Sequence, residues 1–172
     1  MILPLVIYGS HMLRQLSSEV HEDDLPEELS VNMLDTLKKH GGIGLAGPQV
    51  GLLKRIFVMD TAPLQEDDSR ISKVEQVFIN PRILEKSTDL VIYNEGCLSI
   101  PGIYRGVERP EKIRVSYQNL LFETIEEELD GVRARIFQHE YDHLEGVLFI
   151  DKLSPLQRKL ITGKLRKIRK QR

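Results

Sequence analysis

Residues 131–146 read Gly131-Val-Arg-Ala-Arg-Ile-Phe-Gln-His-Glu-Tyr-Asp-His-Leu-Glu-Gly146, and the fold turns on how this stretch is read. Positions 131–144 follow a helical pattern. At about 100° per residue, Val132, Ile136, His139 and His143 form one narrow stripe, while Phe137, Tyr141 and Leu144 cover much of the opposite side. A helix apolar on both sides is a buried helix, so the rest of the chain has to surround it.

What surrounds it is mostly strand. The opening MILPLVIYGS reads as a first strand, and Arg55–Asp60 as a buried one. Further strands are expected at 74–79, 82–85, 90–93, 113–117 and 122–128. Asn80-Pro81 reads as a turn between two of them, and 61–73 as an exposed loop. A helix is predicted from Pro26, with Glu27 and Glu28 in its first turn and Gly41-Gly42 at its end. Residues 156–168 form a last helix. Helices and strands are segregated rather than alternating, which predicts an α+β fold: antiparallel or mixed sheets around a buried central helix, with a C-terminal helix.

The chain has 172 residues, 24 basic against 26 acidic, one cysteine and no tryptophan. That length supports one domain with its own core, and a lone cysteine excludes an internal disulfide. No apolar run approaches the roughly 20 residues that span a bilayer, so no membrane partner is expected. The apolar start lacks both a basic leader region and a cleavage site, which points to a cytoplasmic protein. Charge is uneven: residues 158–172 hold eight basic residues and no acid, leaving sixteen basic against twenty-six acidic before them. We read residues 1–157 as a single domain and 158–172 as its basic C-terminal helix or tail, suited to an anionic partner.

Within the central helix, His139-Glu-Tyr-Asp-His143 is an HExxH. Side chains four apart on a helix project from one face, so both imidazoles reach one metal ion, and Glu140 is placed to act on a water. The third ligand is open. A thermolysin-like pattern needs an acid on a following helix, and no acid follows Asp151; a metzincin pattern needs a third His where Phe149 stands. His11, His21, His40, Cys97 and acids elsewhere remain, and Cys97 is the strongest of these because thiolate binds zinc and iron well. Asp142 and Glu145 read as surface or structural charges. Gly42-Ile-Gly-Leu-Ala-Gly-Pro-Gln49 contains a literal GxGxxG, but a helix precedes it and a strand follows, the reverse of a dinucleotide site. It reads instead as a tight loop in which Gly42 and Gly44 let a peptide approach and Gln49 offers an amide to a developing oxyanion.

Taken together and in this order, GIGLAGPQ (42–49), EGCLS (95–99) and QHEYDHLEG (138–146) resemble the three motifs of the peptide deformylases. The resemblance implies that Cys97, His139 and His143 bind one divalent metal, usually Fe²⁺ with Zn²⁺ or Ni²⁺ as substitutes. It implies that Glu140 is the catalytic acid/base and that Gln49 and the backbone N–H of Leu98 form the oxyanion site. It further implies removal of the N-formyl group from the initiator methionine of nascent chains, with release of formate. On that basis Val132, Ile136 and Ile43 line a methionine pocket beside Gly44, and Glu95 supports the metal site as a hydrogen-bond acceptor. The basic end is expected to dock on the ribosome, with no DNA partner. Two departures are visible: the family's first motif usually carries two alanines and Gly47 stands at the second, which predicts a looser loop, and Pro101-Gly-Ile-Tyr-Arg105 places no arginine at the position where some members use one near the substrate backbone. An HExxH metallopeptidase and a non-catalytic RNA- or ribosome-binding protein are the alternatives; the first lacks its third-ligand pattern, and the second predicts no metal.

Overall fold

The computed structural model describes residues 1–170, so the last two residues of the basic tail lie outside it. Seven strands are present: β1 (Gly44–Ala46), β2 (Ile56–Asp60), β3 (Glu75–Lys86), β4 (Leu90–Cys97), β5 (Ile100–Pro110), β6 (Ile113–Gln118) and β7 (Thr124–Leu129). Four α-helices accompany them: α1 (Pro26–His40), α2 (Ala62–Asp67), α3 (Gly131–Leu144) and α4 (Pro155–Arg169). The α+β class is as the sequence predicts. Five strands form an antiparallel sheet in the order β1-β2-β3-β6-β7, and β4 and β5 pair as a separate antiparallel hairpin.

One face of the large sheet packs on α3. Phe57 and Phe78 stack at 4.7 Å between ring centroids, and Phe137 of α3 meets both edge-on at 5.1 and 5.2 Å. Edge-to-face packing of this kind suits the ring quadrupoles and fixes the helix on the sheet. The other face packs on α1, where Met33 and Leu37 meet Ile56, Val58 and Ile79. On the far side of α3 lies the hairpin: Arg135 donates to the Val107 carbonyl at 2.8 Å and Gln138 to the Pro110 carbonyl at 3.0 Å. A third cluster joins Ile100, Ile103 and Val107 of the hairpin to Ile161, Leu165 and Ile168 of α4. The helix carrying HExxH therefore lies between sheet and hairpin, buried on nearly every side.

Several local expectations need correction. The opening residues are not a strand; their amides bond to loops instead, Val6 to the Gln49 carbonyl and Tyr8 to the Ser99 carbonyl, both at 2.8 Å. They form an extended strap across the two loops that matter most below. Residues 61–73 include α2, started by Pro63 in its first turn. Asn80-Pro81 does not end a strand: β3 runs through it with a register shift, Asn80 adopting φ 49°. Proline lacks an amide for the ladder, so a bulge is where a strand tolerates it. The Asn80 side chain compensates by bonding both Val20 backbone groups and Gln118. Strand β5 is absent from the sequence reading; Leu98-Ser99 turns the chain from β4 into it. Asn119–Phe122 turns with Phe122 at φ 58°, so β7 begins at Thr124.

Candidate metal centre and its surroundings

The three segments singled out by sequence meet at one point. Ligand atoms of Cys97, His139 and His143 all lie within 4.8 Å of one another. Cys97 ends β4, and its Sγ stands 3.3 Å from His143 Nε2. The two imidazoles project from successive turns of α3, with ring centroids 5.2 Å apart. His139 Nδ1 donates to Glu95 Oε1 at 2.7 Å, which leaves its other nitrogen facing the cluster. Burying two imidazoles beside a thiol is costly unless something satisfies them. His143 Nδ1 and Glu140 Oε2 are buried with no partner in the protein. A thiolate with two imidazoles is a donor set that suits Zn²⁺ or Fe²⁺ and leaves coordination positions open, so these residues fit a divalent metal.

Electrostatics separate the groups. Burial pushes the Glu140 carboxyl up to about 7. Burial also opposes charge on Glu95, but hydrogen bonds from His139 and Arg109 outweigh it and hold that carboxyl well below the usual range. For His139 burial opposes the imidazolium, yet the contacts with Cys97 and Glu95 prevail and raise it; His143, buried beside His139, is held well below 6.5.

Gln49 comes from a 3₁₀ turn, Gly47–Val50, that follows β1. The Ala46 amide donates to its Oε1 at 2.8 Å, which turns Nε2 toward Cys97 Sγ at 3.4 Å and Ser99 Oγ at 3.3 Å. Leu98 begins the β4–β5 turn, its side chain against Gly42. Gly44 lies against the Glu140 carboxyl, where no Cβ fits. Gly47 does not loosen the loop: a Cβ there would stand 2.8 Å from the carbonyl oxygens of both Leu52 and Lys54, so glycine is what the packing admits. Of the residues expected to form a methionine pocket, Ile136 is 2% exposed within the main core, and Ile43 and Val132 are partly buried against that core.

Sequence reasoning missed Arg109, Arg135 and Ser99. Glu95 receives Arg109 Nε and Nη2 at 2.7 and 3.0 Å and Arg135 Nη1 at 2.6 Å. The signal for Arg109 was its phase: it follows Ile103 and Val107 at strand period on the inward face of β5. Asp142 and Glu145 make structural ion pairs, with Arg109 and Arg55.

The family model described as polypeptide deformylase matches residues 2–159. A peptide deformylase of Cytophaga hutchinsonii is 44% identical over 171 residues, covering 99% of this chain and 92% of that protein. One from Salinibacter ruber is 43% identical, over 98% of this chain and 89% of that protein. Among solved structures, a plant peptide deformylase aligns with a TM-score of 0.89 at 38% identity, covering 98% of this chain and 90% of that one. The peptide deformylase of Thermus thermophilus aligns over the whole of both chains with a TM-score of 0.89 at 36% identity.

Proposed function

This chain belongs to the polypeptide deformylase family, and from that premise we propose how its own residues perform the family's reaction. The enzyme is a metal-dependent amide hydrolase that removes the N-formyl group from the N-terminal formyl-methionine of nascent polypeptides and releases formate. The observation behind our assignment of roles is the convergence of residues 49, 97, 139, 140 and 143, drawn from three distant segments, on one buried point.

In our reading Cys97, His139 and His143 hold the metal, which is Fe²⁺ on the family's pattern, with Zn²⁺ and Ni²⁺ as functional substitutes. When bound, the cation supplies Lewis acidity, polarising the formyl carbonyl and acidifying a water. Glu140 takes a proton from the attacking water and returns it to the leaving amine as the C–N bond breaks, a role suited to a carboxyl raised to about 7. Gln49 Nε2 and the Leu98 N–H aim at the formyl oxygen as it gains charge. Glu95 orients His139 through Nδ1 and so directs the other ring nitrogen inward. Ile43, Gly44, Val132 and Ile136 form the methionine side of the cleft.

The test is formate release from formyl-Met-Ala-Ser by metal-loaded protein, with Glu140→Ala beside it. Turnover should fall by about 10²- to 10⁴-fold in the variant while metal content is unchanged. Turnover at the parent rate would remove Glu140 from its role.

We also propose that the basic end docks on the ribosome and that the enzyme works in the cytoplasm, where nascent chains emerge. No described helix is long and apolar enough to cross a membrane. Helix α4 turns Ile161, Leu165 and Ile168 inward and leaves Arg158, Lys159, Lys164, Arg166, Lys167 and Lys170 exposed. Arg158, Arg166 and Arg169 line a surface cavity of about 230 Å³ with Tyr8. Truncation at residue 157 would strip that apolar face from the core, so the informative variant is the charge reversal Lys164→Glu with Lys167→Glu. Its cosedimentation with ribosomes should weaken and the parent's should fall steeply with salt; equal binding by both would reject docking through this helix.

A further inference from the structure

We infer that Arg109 is a positioning residue of the metal centre: one guanidinium locks the strand that presents Cys97 to the helix that presents His139 and His143. This rests on the assignment of those three residues as ligands.

The three ligands come from two elements that share no direct backbone pairing, so their mutual placement depends on side chains. Arg109 belongs to neither element. It sits on β5, 3% exposed, and spends all three of its guanidinium nitrogens on acids. Nε and Nη2 grip both oxygens of Glu95, which lies on β4 two residues before Cys97 and receives His139 Nδ1. Nη1 donates at 2.7 Å to Asp142, which lies on α3 beside His143. Among the described ion pairs, no other cation joins an acid of β4 to an acid of α3. Arg135 also reaches Glu95, but its remaining bonds go to the Val91 and Val107 carbonyls and fasten α3 to the hairpin as a whole.

The geometry needs a planar fork. A lysine ammonium is a point donor on a flexible stem and reaches one of the two acids at a time. Without the fork, Glu95 keeps Arg135 and His139, which hold the middle of α3 to β4, but Asp142 loses its tie to Glu95 through Arg109 and the end of α3 that carries His143 is held less firmly against the strand that carries Cys97. Partners that orient ligands in this way typically change metal affinity by about 10- to 100-fold when replaced.

The experiment uses cobalt(II)-loaded protein, whose visible absorption bands report ligand geometry directly. Parent, Arg109→Lys, Asp142→Asn, the exposed control Arg114→Lys and the ligand control His143→Ala are compared. Band positions and the rate of cobalt loss to excess chelator are read at a temperature where thermal melts show each protein folded. We expect Arg109→Lys to weaken cobalt binding by about 10- to 100-fold with shifted bands. Asp142→Asn should move both readouts in the same direction, and Arg114→Lys neither. Should Arg109→Lys fail to fold, Asp142→Asn alone decides. Parent-like bands and release rates in Arg109→Lys and Asp142→Asn, with metal lost from His143→Ala, would overturn the inference and leave the ligand assignment standing. Parent-like binding by His143→Ala would overturn the ligand assignment, and this inference with it.

Discussion

The carboxyl group of Glu140 rests on the α-carbon of Gly44: a Cβ built there would stand 2.8 Å from Glu140 Cδ and 2.9 Å from Cγ. Gly44 belongs to β1 and Glu140 to α3, so a missing side chain on the sheet is what gives the carboxyl its place. Gly44→Ala should therefore push Glu140 out of position. The expected result is a fall in formate release of about 10²- to 10⁴-fold, the span of acid–base catalysis, with metal content retained. Steady-state kinetics paired with metal analysis check it, and undiminished turnover would show that Glu140 finds its position without the glycine.

Gly47→Ala tests the packing of the same loop without touching the acid. Its Cβ would meet two backbone carbonyls, which cannot rotate away as a side chain end can. We expect a loss of about 1–3 kcal/mol of stability, the usual cost of overpacking, read as a lowered Tm. A Tm equal to the parent's would mean that the loop yields freely.

Metal removal should cost both activity and stability. A cation that binds only the folded chain adds about 2.7 kcal/mol at a concentration one hundred times its Kd. Chelated protein should therefore melt lower, and its Tm should climb with added Fe²⁺, Ni²⁺ or Zn²⁺ as activity returns. Calorimetry across a metal titration measures this. No dependence of Tm on metal in the parent, with the same behaviour in His143→Ala, would contradict ligation by this triad.

Asp151 sets part of the acid sensitivity. Burial opposes its charge, but Arg14 at 2.5 and 3.0 Å and the Leu148 amide outweigh burial and hold the carboxyl below 3.8. A depressed carboxyl stabilises the fold fully above its unfolded value, and that contribution fades as pH falls through the folded value. Asp151→Asn should thus be less stable than the parent by about 1 kcal/mol near pH 7, the scale of a partly exposed ion pair. The gap should narrow as pH falls past the ordinary carboxylate value of 3.8 and close once pH is below the depressed folded value. Urea melts at several pH values test the sign; a gap that widened in acid would reverse it.

Helix α3 was legible because its apolar residues wrap both sides of a 3.6-residue period, and the cluster of His139, His143 and Cys97 because metal chemistry restricts which residues can complete an HExxH. The hairpin strand β5 was hidden by Pro101, Gly102, Gly106 and Pro110, residues that read as loop but here sit on a strand pair outside the main sheet. The opening residues misled in the other direction. Their apolar pattern is real, but it is buried by loops and α4 instead of a sheet edge. Arg109 and Arg135 escaped notice because arginine is ordinarily exposed, and only the position of Glu95 makes their burial sensible.

The strap at Val6 and Tyr8 has a consequence for the enzyme's own synthesis. Its amides hold the carbonyls of Gln49 and Ser99, and the Tyr8 ring in turn lies under the guanidinium of Arg169, near the end of α4. Helix α4 follows every other described element in the chain, so the contacts that steady the strap form last, once translation has delivered residue 169. Residues separated by some 160 positions must meet before the loops around the metal are fully braced. Pairings that distant close slowly, which makes the bracing of these loops a late event in folding.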